Sequence, residues 1–160
     1  GEHGATEGQR RVGEALSVGP LAGYPVINVK ATLLGGSTHE VDATESAFKA
    51  AANIATNKAL KSAGPILMEP VMALEIVVPE NYVGDVVGDL NARRGNIKGM
   101  QRRGDVQVVE AEVPLATMFG YSTDLRSMSQ GRATYTMQFA KYEPAPSRVS
   151  ERIIGRIRGY

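Results

Sequence analysis

The sequence predicts an α+β protein in two parts. Residues 71–146 read as a four-stranded antiparallel sheet carrying two helices on one face. Residues 1–70 read as a partial α/β unit before it. Three observations carry this reading. Apolar and polar residues alternate in separate stretches after Val71, the period-two mark of half-buried strands. Two of the gaps between those stretches hold apolar residues at helical spacing. Those two gaps also repeat one plan: Val78-Pro79 leading to Asp89-Leu90 and Gly95, and Val113-Pro114 leading to Asp124-Leu125 and Gly131.

The offsets are regular. Pro79 and Pro114 lie 35 residues apart, as do Asp89 and Asp124, while Gly84/Gly120 and Gly95/Gly131 lie 36 apart. Proline suits a first helical position, where its missing N–H would be unpaired anyway. Glycine suits the left-handed residue just past a helix end, the place expected for Gly131. Two strand–helix–strand copies therefore make one domain.

Composition narrows the chemistry. The 160 residues are 42% hydrophobic and 6% aromatic, with no Cys and no Trp. Disulfides, thiolate metal sites and a cysteine nucleophile are thereby excluded. With only His3 and His39, no histidine-rich metal site is expected. No apolar run approaches the roughly 18 residues of a membrane span, and no charged-then-apolar leader opens the chain. A cytoplasmic protein with no membrane partner is expected.

The net charge of +1 hides an uneven distribution. Arg93, Arg94, Lys98, Arg102 and Arg103 fall within eleven residues with no acid among them. Such a patch suits phosphate. The tail 147–160 holds four basic residues against one acidic.

In chain order, residues 1–9 read as a frayed start and Arg10–Ser17 as a short helix stopped by Gly19-Pro20. Val26–Leu34 alternates and reads as a strand. Gly35-Gly36-Ser37-Thr38-His39 follows as a loop, too short for a nucleotide P-loop and lacking its Gly-Lys-Ser/Thr ending. Asp42, with Glu45 three residues on, makes a capping-box start for a helix reaching Ser62. Its alanines imply close approach to a neighbour. Gly64-Pro65 stops it, and a domain boundary is placed at about Pro70.

Val71–Val78 is a strand with Met72, Leu74, Ile76 and Val78 on one face. The helix Glu80–Arg93 buries Tyr82, Val83, Val86, Val87 and Leu90. Asn96–Met100 and Val106–Val113 are strands joined by a turn at Gly104-Asp105. A helix spans Leu115–Gln130, and Ala133–Phe139 is the last strand, with Tyr135, Met137 and Phe139 inward. The order βαββαβ, with right-handed crossovers, is a ferredoxin-like sandwich. After Pro144 and Pro146, Ser147 caps a final helix whose apolar side is Val149, Ile153, Ile154 and Ile157. That side is expected to pack on the first unit.

No catalytic cluster emerges. Asp85/Asp89 and Glu110/Glu112 are spaced as solvated faces commonly are, and Ser122 and Ser127 have no histidine near them in sequence. The helix 115–130 is different in kind. It holds Gly120 inside it, at a cost of about 1 kcal/mol against Ala, which close approach of another backbone would explain. Ser122, Thr123, Arg126, Ser127, Ser129 and Gln130 give it a polar string suited to phosphate and sugar.

Several runs together resemble the C-terminal part of the elongation factor G family of translational GTPases. They are Leu21-Ala22-Gly23-Tyr24-Pro25-Val26, His39-Glu40-Val41-Asp42, Leu67-Met68-Glu69-Pro70, Gly88-Asp89-Leu90-Asn91-Ala92-Arg93-Arg94-Gly95, Met118-Phe119-Gly120-Tyr121-Ser122-Thr123-Asp124-Leu125-Arg126-Ser127 and Gln130-Gly131-Arg132. The resemblance implies that residues 71–146 are the family's fifth domain. It implies that residues 1–70 and the last helix are part of its fourth domain, similar to the second domain of ribosomal protein S5.

From the family come further expectations. Gly35, Gly36, Ser37, Thr38 and His39 match a tip that enters the decoding region beside tRNA and mRNA. Arg93, Arg94, Lys98, Phe119, Gly120, Tyr121, Ser122, Arg126, Ser127 and Gln130 are candidates for contact with ribosomal RNA, at the sarcin–ricin loop and the stalk base. The chain itself is expected to be a monomer and no enzyme, without cofactor. GTP and magnesium would belong to the parent's GTPase domain, outside this stretch. A recycling-specialised paralogue and a stand-alone module for the ribosomal factor site fit the same residues.

Overall fold

The computed structural model describes residues 2–32, 34 and 44–159. The chain divides into two compact units: residues 1–67 with 146–160, and residues 68–145.

In the first unit, α1 spans Glu2–Leu16 and begins well before the expected Arg10. The chain then hooks back. The Val26 amide donates to the Leu16 carbonyl at 2.7 Å, and the Gly19 amide to the Tyr24 carbonyl at 2.8 Å. A Cβ on Gly19 would stand 2.6 Å from that Tyr24 oxygen, so only glycine fits the hook.

The strand expected over Val26–Leu34 is not formed in its described part. Asn28 takes φ +59, which reverses the chain where a strand must stay extended. Alternation alone misled here, because among the described residues no neighbouring strand offers this segment a ladder. Ile27 and Val29 are each 46% exposed.

α2 spans Glu45–Ser62, and its cap is Thr44, whose hydroxyl accepts from the Ala47 amide at 3.1 Å. The expected cap Asp42 lies outside the described residues. α5, Ser147–Arg158, also belongs to this unit. Ser147 is its first residue and not its cap. The Pro146 carbonyl accepts from Val149 and Ser150, which makes Pro146 the cap.

In the second unit, four antiparallel strands stand in the order β2-β3-β1-β4: β1 Met68–Pro79, β2 Asn96–Arg103, β3 Val106–Pro114 and β4 Thr134–Pro144. β1 starts at Met68, two residues before the expected boundary. Its register is Leu74 opposite Ala111 on one side and Met137 on the other. α3 spans Val83–Ala92 and α4 Tyr121–Met128, each preceded by a short 3₁₀ turn after its proline.

The core lies between the helices and one sheet face. It comprises Leu74, Ile76 and Val78 from β1, Val109, Ala111 and Val113 from β3, Val86 and Leu90 from α3, and Tyr121 and Leu125 from α4. The Tyr121 and Tyr135 rings meet edge to face, 5.0 Å apart. Such a pair adds about 0.5–1.5 kcal/mol beyond its burial.

Two strands carry an extra residue. Ala140 bulges from β4 beside Val71, and Lys98 bulges from β2 beside Ala111. β4 is an edge strand and stays open: Phe139 is 54% and Met137 40% exposed.

Candidate nucleic-acid interface

The sequence patch that begins at Arg93 divides in the structure. Arg93 is a clamp. It sits at the end of α3, and its side chain reaches the segment that leads into α4. Nε donates to Asp89 at 2.8 Å, Nη1 to the carbonyl of Thr117 at 2.6 Å, and Nη2 to the Asp124 carboxylate. Its guanidinium also lies 5.0 Å from the centre of the Tyr121 ring, within cation–π range. Burial works against its charge, but the two hydrogen-bonded carboxylates outweigh that and raise its pKa above the ordinary arginine value.

Arg94 is a second clamp. It grips Glu69 with both arms, at 2.8 and 3.0 Å, and that carboxylate raises its pKa. A planar fork on a carboxylate is the strong form of this bond. Glu69 is 8% exposed, near the start of β1. Arg94 thus ties the exit of α3 to the entry of the sheet.

Both arginines were expected to face RNA; in the structure each is engaged by carboxylates of its own unit. Lys98 sits on the β2 bulge, 3.8 Å from Glu112. Arg102 lies 3.4 Å from Glu80.

Tyr121, also expected to face RNA, is buried instead. It is 1% exposed, and burial pushes its phenol well above the ordinary value, with Asp89 adding to the shift and Arg93 opposing it. Its hydroxyl has no hydrogen-bond partner among the described residues.

Gly120 has a different role from the one expected. It is not inside the helix. It precedes α4 with φ +74, and nothing lies within 4 Å of where a Cβ would stand. Its service is therefore backbone conformation and not close approach. The turn it makes leaves Phe119 projecting, 85% exposed. Ser122, Arg126, Ser127 and Gln130 are exposed along the helix that follows. These five side chains, with Gly120, are the part of the expected surface that is accessible. Ser129 turns inward. It is fully buried, donates to the Leu125 carbonyl at 2.6 Å and accepts from the Ala133 amide at 3.1 Å.

Gly131 is left-handed past α4 as expected, φ +76, and Gln130 before it is left-handed too, φ +52; past α3 the left-handed residue is Arg94, φ +62, one residue before Gly95. The Gly95 amide donates back to Leu90 at 2.8 Å and the Gly131 amide to Arg126 at 2.8 Å. This is the Schellman arrangement at both helices.

Sequence reasoning missed Glu69, Thr117 and Asp124 as partners of the arginines. One signal was present. Asp89 and Asp124 are the repeated aspartates of the duplication, and both converge on Arg93. The tip residues Gly35, Gly36, Ser37, Thr38 and His39 lie outside the described residues. Among the described residues no group of three His, Cys, Asp or Glu could hold a metal, and no helix is long and apolar enough to cross a membrane.

Comparison with known proteins finds two family models that meet near residue 65. The model described as Elongation factor G, domain IV matches residues 9–64. The model described as Elongation factor G C-terminus matches residues 66–153. The crystal structure of a protein from Thermus thermophilus is 39% identical with a TM-score of 0.89, covering 99% of this chain and 24% of its own. The chain therefore spans about a quarter of that protein's length. A family model that covers more than half of the residues, and a solved structure that follows the fold over nearly the whole chain, make the conclusion plain: the chain belongs to the elongation factor G family.

Proposed function

We propose that this chain is the ribosome-binding C-terminal part of an elongation factor G, whose parent promotes GTP-dependent tRNA–mRNA translocation and takes part in ribosome recycling. The observation that carries the reading is Phe119. An aromatic ring that exposed is costly in a free protein, and this one is rigidly presented, because Arg93 holds the carbonyls around it. A base stacked on such a ring is worth about 1–3 kcal/mol. Arg126 beside it offers a fork for phosphate, and Ser122, Ser127 and Gln130 offer hydrogen bonds to sugar and backbone oxygens.

The contact is assigned to ribosomal RNA at the sarcin–ricin loop and stalk base. The tip at His39 is assigned to the decoding region. The role is mechanical and electrostatic. GTP and magnesium belong to the parent's GTPase domain, and binding of GTP by the 160-residue chain would contradict the reading.

The test compares ribosome binding by Phe119→Ala, Arg126→Ala and Glu110→Ala, the last on the sheet and away from the surface. The first two should each weaken binding about tenfold, the factor that 1.4 kcal/mol represents. Glu110→Ala should change it little. Equal binding by all three would remove the case for this surface.

A further inference from the structure

The final helix presents a second cationic surface, in the other unit. Arg148, Arg152 and Arg156 recur every four residues along α5 and are exposed. Successive arginines stand about 6 Å apart along the axis and about 40° round it, so they form one slowly turning ridge. Arg158 lies beside it. With Glu151 as the acid of this helix, four arginines against one glutamate leave +3 on residues 147–158.

The ridge is unlike three arginines of the sheet unit. Arg93, Arg94 and Arg102 are each paired with carboxylates. Among the described residues, none of the four α5 arginines forms an ion pair. Local helix stability accounts for Arg156 and Arg158, which lie in the last turn where the dipole favours a cation, but not for the row as a whole. Like charges four apart repel, and Arg148 stands in the first turn, where the helix dipole disfavours a cation and no acid is present.

The opposite side of α5 is engaged. Val149, Ile153 and Ile154 are half-buried, so the ridge faces outward from a seated helix. A lipid surface would require that apolar side to be free.

We infer that Arg148, Arg152 and Arg156 bind the phosphate backbone of structured RNA, as a second contact independent of Phe119 and Arg126. The partner follows from the chemistry. Planar guanidinium forks suit phosphate oxygens better than ammonium groups do. On an A-form helix the deep, narrow major groove keeps side chains from the base edges, so such a ridge meets the backbone and not the sequence. The inference rests on the reading of this chain as a ribosome-binding part, and it locates a site on that part.

The experiment uses the whole 160-residue chain with two probes, intact ribosomes and a fluorescein-labelled A-form RNA hairpin, each titrated at several salt concentrations. The triple variant R148Q/R152Q/R156Q should bind both about tenfold more weakly and lower the log–log salt slope by about 2, as loss of three phosphate contacts requires. R148K/R152K/R156K keeps the charge and should retain most of the slope, which separates charge from folding. An unchanged slope with the Gln variant overturns the inference. If Arg126→Ala still weakens ribosome binding in that case, the functional reading survives and only this site falls. Vesicles of phosphatidylserine and phosphatidylcholine form a third arm. Arginine-dependent binding there with none to RNA would overturn the inference in favour of a membrane.

Discussion

α3 and α4 end alike and begin differently. Each exits through a left-handed residue and a glycine whose amide returns to the last turn. Each buries a leucine, Leu90 at 0% and Leu125 at 2% exposure. Each points an aspartate at the one guanidinium of Arg93. Their entries diverge. After Pro79 the 3₁₀ turn Glu80–Tyr82 runs straight into α3. After Pro114 the turn Leu115–Thr117 is followed by Met118, Phe119 and Gly120 before α4 starts.

The difference teaches where the two copies of a duplication part. Packing positions stay in step at 35 residues, and the exit caps at 36, so one extra residue falls between Leu125 and Gln130. The first copy uses its entry to continue the helix. The second uses it for a left-handed glycine that turns Phe119 outward. Gly84 and Gly120 match by number but not by place, since Gly84 lies within α3.

The comparison can be broken at its shared point. Arg93→Ala removes two carboxylate bonds and the hold on the Thr117 and Phe119 carbonyls. Stability should fall by about 2–3 kcal/mol, since hydrogen bonds to charged groups carry about 1.5–3 kcal/mol each and water recovers part. Denaturant unfolding measures it. The double variant Asp89→Asn with Asp124→Asn should lose about the same, because it strips the same cation. A loss confined to Asp89→Asn would mean that Arg93 serves α3 alone.

The two glycines at the exits should separate next. A Cβ on Gly95 would stand 2.7 Å from the Leu90 carbonyl oxygen, whereas nothing lies within 4 Å of one on Gly131. Gly131, however, has φ +76. Gly95→Ala should therefore cost about 2 kcal/mol through crowding, and Gly131→Ala about 1 kcal/mol through backbone strain alone. Equal losses would show that the two caps do the same work.

The smallest effect is expected at Tyr121, the aromatic that replaces Val86 of the first copy. Tyr121→Phe removes a buried hydroxyl without a partner, so stability should change by no more than about 1 kcal/mol, and upward. Its pH dependence gives a second reading. The folded state holds the phenol protonated above its ordinary value of 10.0. Its contribution is thus complete below that pH and lost as pH rises beyond it. The Phe variant should resist alkaline unfolding better than the parent.

Much of the sheet unit was legible in the sequence, because Val106–Val113 and Ala133–Phe139 alternate against neighbours they do pair with. The Val26–Leu34 segment alternates as well, yet Asn28 breaks it and among the described residues no ladder receives it. Periodicity reports a preference, and a strand needs a partner. At the candidate surface, Ser122 and Arg126 are exposed on a helix, while Phe119, read as helical, is exposed in the turn before it. The pairing of Arg93 and Arg94 was not legible, since a run of cations in sequence gives no sign of carboxylates 25 and 31 residues away. Only the repeated aspartate hinted at them.

β1 has a consequence for how the unit is assembled. It is a central strand, and one of its two partners, β4, is the last strand of the unit: Met68 pairs with Pro144. A chain growing from its amino end exposes β1 long before β4 exists. One whole side of its ladder then waits on the longest loop in the unit. Closing that loop costs entropy before any contact offsets it, so non-local pairing of this kind folds slowly. The Arg94–Glu69 grip closes a much shorter circuit on the same strand. Its closure entropy is correspondingly smaller than that of the β1–β4 ladder.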